Sequence, residues 1–202
     1  LAHRYDTPLC VLSEGWIRSN YRRIASALSR RYRKIRIYYS AKANTSLAVL
    51  GILREEGAYV DTVSPGEALL SLRAGFTPDR IMFTGTSVRN DELRHVLDSR
   101  VGINVDSVSE LNRLLSMSTP EVLSFRINPE IGAGHHEHVI TAGPECKFGL
   151  WETEVLDAYR RAQQAGVSRF GIQMHIGSGI LDSRVYRLAA ERLLDTAGRV
   201  RR

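Results

Sequence analysis

Hydrophobic and polar positions along the chain alternate between two rhythms. Short runs rich in β-branched and aromatic residues begin near Ile35, Ala58, Arg80, Val101, Val122 and Arg169. The first five are spaced by roughly 21–23 residues, the interval of a recurring strand-and-helix unit. Between them, apolar residues recur at helical spacing over 47–56, 65–74, 91–99, 108–117 and 152–165. A helix over 16–31 precedes the series, with Trp16, Ile17, Ile24, Ala27 and Leu28 as its apolar positions, and another over 184–199 follows it. A further short strand is predicted at residues 7–13. Strands alternating with helices in this way predict an α/β fold built on a parallel sheet. The regular repeat favours a (β/α)8 barrel of the TIM type over an open, doubly wound sheet.

Local chemistry marks the same boundaries. Ser64-Pro65-Gly66-Glu67 combines a serine N-cap, a proline at the first helical position and a glutamate at the third. Ser107-Val108-Ser109-Glu110 repeats the S-x-x-E pattern, and Gly57, Gly75 and Gly166 stand where helices should stop. Six strand-and-helix units are legible, whereas a closed barrel needs eight strands. Six parallel strands alone would leave two edges unpaired. The expectation is therefore a partial barrel, the N-terminal portion of a longer protein.

Composition narrows the function classes. The chain has 202 residues, 43% hydrophobic and 25% charged, with a formal charge of +6. Arginines such as Arg18, Arg22, Arg23, Arg30 and Arg31 are dispersed along helical segments, which argues against nucleic-acid binding. No apolar run reaches membrane length and no signal peptide is visible, so no membrane association is expected. Cys10 and Cys146 lack metal-type spacing, in keeping with a cytoplasmic protein.

Candidate chemistry lies on one face of the strands. In 35–44, read IRIYYSAKAN, alternation puts Tyr38, Ser40 and Lys42 opposite Ile37, Tyr39 and Ala41. In 122–128 it sets Ser124, Arg126 and Asn128 apart from Leu123, Phe125 and Ile127, and in 170–176 it separates Gly171, Gln173 and His175 from Phe170, Ile172, Met174 and Ile176. In a barrel the polar face points inward, so Lys42, Arg126 and His175 converge at the C-terminal mouth. A lysine held there in a pocket is desolvated and becomes a nucleophilic amine able to form a Schiff base. Gly177-Ser178-Gly179 follows His175, and such a turn lets backbone N–H groups and a hydroxyl approach a phosphate closely. A phosphate-bearing group that condenses with lysine is pyridoxal 5′-phosphate. Gly134-His135-His136-Glu137-His138 offers no fourth ligand at a sensible spacing, and no metal site is expected there.

These residues resemble a known family. Tyr39-Ser40-Ala41-Lys42-Ala43-Asn44 is similar to the Y-x-x-K-A-N lysine motif of the alanine-racemase-like, fold type III pyridoxal-phosphate enzymes, and His175-Ile176-Gly177-Ser178 to their H-I-G-S segment. Between them stand Asp61–Glu67 (DTVSPGE), Arg126-Ile127-Asn128-Pro129 and Lys147-Phe148-Gly149, in the family's order. The set is most similar to the branch that decarboxylates meso-diaminopimelate to L-lysine. The resemblance implies that Lys42 is the Schiff-base lysine and that His175 stacks on the cofactor ring. It further implies that Gly177, Ser178 and Gly179 hold the phosphate, that Arg126 lies near the ring's phenolic oxygen, and that Asp61 and Glu67 lie near the site. Glu67 also has a plain capping reading. Lys147 is structural or interfacial, and His136 belongs to a polar loop over the site.

By the same resemblance, residues 1–13 belong to a C-terminal β-domain that the chain otherwise lacks, and 14–202 form the partial cofactor-binding barrel. The full-length protein would be a homodimer, and the partial barrel alone would be inactive. A sister decarboxylase acting on ornithine, arginine or carboxynorspermidine is an alternative, as are a non-catalytic homologue that binds a partner protein and a barrel acting on a phosphorylated substrate without a cofactor.

Overall fold

The computed structural model describes residues 1–128 and 148–201. Six strands form one parallel sheet in sequential order: β1 (Tyr38–Ser40), β2 (Tyr59–Thr62), β3 (Ile81–Phe83), β4 (Gly102–Val105), β5 (Val122–Arg126) and β6 (Arg169–Gln173). The helices are α1 (Ala2–Tyr5), α2 (Glu14–Ser29), α3 (Leu47–Glu55), α4 (Pro65–Arg73), α5 (Asn90–Asp98), α6 (Val108–Met117), α7 (Glu152–Gln164) and α8 (Ser183–Val200). One helix crosses between each successive pair of strands, so neighbours in sequence become neighbours in the sheet. The predicted helices from the third onward hold to within about one residue at each end.

The register shows why one face of the sheet is apolar. Val60 pairs with Ile81, Phe83 with Ile103, Ile103 with Leu123 and Leu123 with Phe170. Side chains in register on parallel strands share a face, and here that face packs on Leu50, Leu93, Leu111, Leu114, Ala158 and Ala162 from the helices. Leu111 and Leu114 are fully buried, and each contributes on the order of 1.5–3 kcal/mol by leaving water. The opposite face lines the interior of the curved sheet. Among the described residues β1 and β6 have one neighbour each, so the sheet is six consecutive units of the barrel pattern without closure.

Three expectations need correction. Residues 7–13 form no strand; they pair with no other segment among the described residues, and Leu9, Val11 and Leu12 are exposed. A strand exists only where a sheet edge accepts its ladder, and none among the described residues pairs with this segment. The run over 35–44 is a strand only at Tyr38–Ser40, where Tyr59–Asp61 pairs with it. Beyond Ser40 the chain tightens into a 3-10 turn over Ala41–Ala43, closed by the Asn44 N–H donating to the Ala41 carbonyl at 3.0 Å. Finally, Trp16, Ile24 and Leu28 of α2 stay exposed; of the predicted apolar positions Ile17 does pack, together with Tyr21, on Val49, Leu53 and Ala58. Ion pairs reinforce that docking: Arg18 donates to Glu55 and Glu56, and Arg22 to Glu56, at 2.6–2.8 Å.

Candidate functional site

The inner face opens at the C-terminal ends of the strands into a cavity of about 950 Å³. Its wall follows from the register. Ser40 pairs with Asp61 and Asp61 with Met82, while Asn104 pairs with Ser124 and Ser124 with Gly171. One row higher, Arg126 pairs with Gln173. The interior is therefore small and polar where barrels of this kind usually carry branched apolar side chains. Lys42, Arg126 and His175 line this one cavity, so their predicted convergence holds, and Asp61 and Ser178 line it with them.

Lys42 projects from the 3-10 turn rather than from the strand itself. It is exposed at the open mouth, so the desolvated pocket expected for it is not present around this chain. The turn is fixed locally. Asn44 Oδ1 accepts from the Ser46 N–H at 2.9 Å, and the Tyr39 hydroxyl donates to the Asn44 carbonyl at 3.3 Å. Across the sheet, Asp61 accepts from the Thr84 hydroxyl at 2.8 Å and from Ser40 at 3.5 Å. Burial pushes the Asp61 carboxyl up, against the Thr84 hydrogen bond and the positive charge of Lys42.

Arg126 occupies the next layer. Its guanidinium donates to Asp106 at 3.2 Å and lies 4.9 Å from the Phe148 ring centroid. Both side chains of the ion pair are only 11–12% exposed. The Asp106 carboxyl is nevertheless pushed up, because burial outweighs Arg126 and the Gly149 N–H. Gly149 can reach Asp106 only as glycine. Its φ is +83°, and a Cβ there would stand 2.8 Å from the Asn128 backbone nitrogen. The Lys147-Phe148-Gly149 motif thus gains a physical reading at its last two positions: Phe148 flanks the guanidinium and Gly149 approaches the acid that holds it. Lys147 and the histidine stretch over 134–138 lie outside the described residues.

His175 stands just beyond β6. Burial lowers its pKa, and Arg126 and Lys42 lower it further, so the ring is neutral at neutral pH. Gly177 and Gly179 follow with φ of +130° and +68°, flanking the exposed Ser178 on the cavity wall. Glu67 accepts from the Val63 N–H at 2.8 Å while Ser64 caps the helix through the Glu67 N–H at 3.2 Å, so the capping reading of Glu67 holds. The charge of Glu67 still contributes to the upward shift of Asp61.

Sequence reasoning missed Asp106, Asn104 and Glu110. The signal was available for the first two, since alternation along β4 puts Gly102, Asn104 and Asp106 on the face shared with Ser124 and Arg126. Asn104 is 2% exposed, and its Oδ1, like Gln173 Oε1, has no hydrogen-bond partner among the described residues although both residues line the cavity. Buried polar atoms left unpaired beside a cavity are positioned for something that enters it. An amine, a guanidinium, a neutral imidazole and a glycine-flanked serine suit a planar, anionic, aldehyde-bearing group, and the residues present fit pyridoxal phosphate.

Residues 14–201 match the model of the pyridoxal-dependent decarboxylase family, pyridoxal binding domain. The chain belongs to this family. It is 54% identical to the diaminopimelate decarboxylase of Methanothermobacter thermautotrophicus over 99% of its own length and 47% of that protein's. It is 34% identical to the enzyme of the same name from Thermoplasma acidophilum, over 90% of this chain and 44% of the relative. Among solved structures, it superposes on Helicobacter pylori diaminopimelate decarboxylase complexed with L-lysine with a TM-score of 0.89 and 28% identity, covering 98% of this chain and 52% of that one. The chain spans about half the length of these relatives. No helix among the described residues is long and apolar enough to cross a membrane, and no cluster of metal-ligand side chains occurs among them.

Proposed function

We propose that the chain is the cofactor-binding part of an enzyme that decarboxylates meso-diaminopimelate to L-lysine. The observation that carries this reading is the meeting of Lys42, Arg126 and His175 on one cavity in a chain 54% identical to an enzyme so named. When bound, pyridoxal phosphate supplies the electron sink for the pair of electrons left behind by carbon dioxide. Lys42 provides the amine that anchors the aldehyde, and Asp61, held by Thr84 and Ser40, keeps a carboxyl beside that amine. His175 offers the face of a neutral ring. Arg126, fixed by Asp106 and Phe148, sets positive charge against the phenolic oxygen. Ser178 with Gly177 and Gly179 takes the phosphate.

On this reading the full-length protein is a cytoplasmic homodimer. Leu9, Val11 and Leu12, exposed here, pack on a further β-domain of that protein.

The test uses the full-length protein. Borohydride should fix one equivalent of cofactor, mapped to Lys42 by peptide mass, and Lys42→Ala should abolish both the trapping and the cofactor's visible absorption. Trapping that survives in Lys42→Ala would sink the assignment. Turnover should favour meso-diaminopimelate over ornithine and arginine by at least about a hundredfold. A reversed preference would leave the cofactor site intact but replace the substrate.

A further inference from the structure

The first turn of α6 carries a carboxyl that the reading above does not use. Glu110 is 3% exposed, yet no cation among the described residues is bonded to it. One oxygen accepts from the Asp106 N–H at 2.9 Å, and the other, Oε1, is buried without a partner among the described residues. The Glu110 N–H in turn donates to Ser107 Oγ at 3.2 Å. Two carboxyls, Asp106 and Glu110, thus sit four residues apart behind one guanidinium, both almost out of water. Desolvation makes two anions here costly even with Arg126 bonded to Asp106 and Arg113 nearby, so the pair keeps a proton. Asp106 has Arg126 and the Gly149 N–H to stabilise its charge, and Glu110 has neither. The proton therefore resides on Glu110.

We propose that Glu110 is a positioning residue for Arg126: it acts through Asp106, and the two acids together present a single negative charge to that guanidinium. The charged groups that bear on Glu110 come from several elements. Asp106 follows β4, and Arg126 of β5 reaches Glu110 through Asp106. Arg113 lies one turn along α6 and is tied to the Val88 carbonyl and Asn90 at the start of α5. On the far side, α7 buries Val155, Ala158, Tyr159 and Ala162. Burial, the largest influence, raises the Glu110 carboxyl to about 7, and the charge of Asp106 adds to it. Above that pH a second anion stands behind Arg126, and the cavity attracts an anionic ligand less strongly.

The consequence for ligand binding rests on the cavity being the cofactor site, whereas the proton on Glu110 does not. The experiment therefore has two arms on the full-length protein. In the first, infrared spectra of protein with isotope-labelled glutamate should show a protonated carboxylic acid at neutral pH. That band should vanish in Glu110→Gln and persist in Glu67→Gln. Its absence from the wild type, or its survival in Glu110→Gln, overturns the proposal. In the second arm, the dissociation constant of pyridoxal phosphate is compared at about pH 6 and pH 8. The weakening with pH should be at least about threefold greater in the wild type than in Glu110→Gln. Glu110→Ala loses the acceptor for the Asp106 N–H and should bind on the order of tenfold more weakly at both pH values, a defect that Gln rescues. Parallel pH dependences for wild type and Glu110→Gln would refute the coupling to Arg126. If no variant binds the cofactor while the infrared result holds, the cavity has been misread and Glu110 has not.

Discussion

The β2–α4 and β4–α6 junctions turn the same corner with the same parts and place their charge differently. Asp61-Thr62-Val63-Ser64-Pro65-Gly66-Glu67 aligns with Asn104-Val105-Asp106-Ser107-Val108-Ser109-Glu110. In both, the serine caps the helix through the N–H of the glutamate, at 3.2 Å. In both, that glutamate reaches back to the N–H of the residue before the serine, at 2.8 and 2.9 Å. The clamp fixes the last residue leaving the strand, Val63 in one case and Asp106 in the other. The first junction carries its acid two residues earlier, at Asp61, where hydroxyl groups hold it close to Lys42. The second carries Asn104 at that register and moves the acid up one layer, where it meets Arg126. One local scaffold thus serves two chemistries, chosen by which of two inward positions is acidic.

The sharpest way to break this comparison is to remove each acid. Asp106→Ala leaves the Arg126 guanidinium nearly buried without its carboxylate, and losing one partner of a buried pair costs about 3–5 kcal/mol. Asp61→Ala strands two hydroxyls that can turn elsewhere and removes a carboxyl that burial already disfavours, so its cost is about 1 kcal/mol. Urea denaturation of the full-length variants reads the difference. Equal shifts in midpoint would mean that the two acids play the same structural part after all. Next in size after Asp106→Ala comes Gly149→Ala, which touches only the second junction. A positive φ and a Cβ in contact with the Asn128 backbone together cost about 2–3 kcal/mol, and the Gly149 N–H should be displaced from Asp106. The expected result is a destabilised protein with weakened cofactor binding. Wild-type affinity at reduced stability would show that Asp106 does not need this contact.

How much of this was legible beforehand depends on how local each cause is. The helices over 47–56, 65–74, 91–99 and 108–117 were readable because caps, glycine stops and apolar spacing all lie within the element. Arg126 was readable because alternation along β5 fixes its face, and Lys42 and His175 because each follows the C-terminal end of a strand at the same mouth. Residues 7–13 misled because a β-rich run becomes a strand only beside a free edge, which local sequence does not report. Phe148 and Gly149 carried no local signal of their contacts with Arg126 and Asp106, since strand pairing alone brings these segments together. Asp106 is hidden for the opposite reason: its junction already reads as a helix cap, although alternation along β4 sets it on the inner face with Asn104.

The smallest expected effect is also the most discriminating between the two caps. Ser64→Ala and Ser107→Ala remove the same hydroxyl from the same N–H, a loss typically worth about 1 kcal/mol. The helices behind them differ at the first position. Pro65 has its φ already set for the first turn of α4, and its lack of an N–H leaves one orphan donor fewer to satisfy. Val108 gives α6 neither advantage, and β-branching makes it a weaker helix starter. Ser107→Ala should therefore cost about 1 kcal/mol or slightly more, and Ser64→Ala about 0.5 kcal/mol. The contrast should extend to the site, because a frayed α6 releases Glu110 from Asp106 whereas α4 keeps Glu67 on Val63. Hydrogen exchange at the Asp106 and Val63 amides measures this directly. Protection lost at Asp106 in Ser107→Ala but kept at Val63 in Ser64→Ala would show that the proline makes the first clamp independent of its serine, and equal loss at both would show that the serines alone hold them.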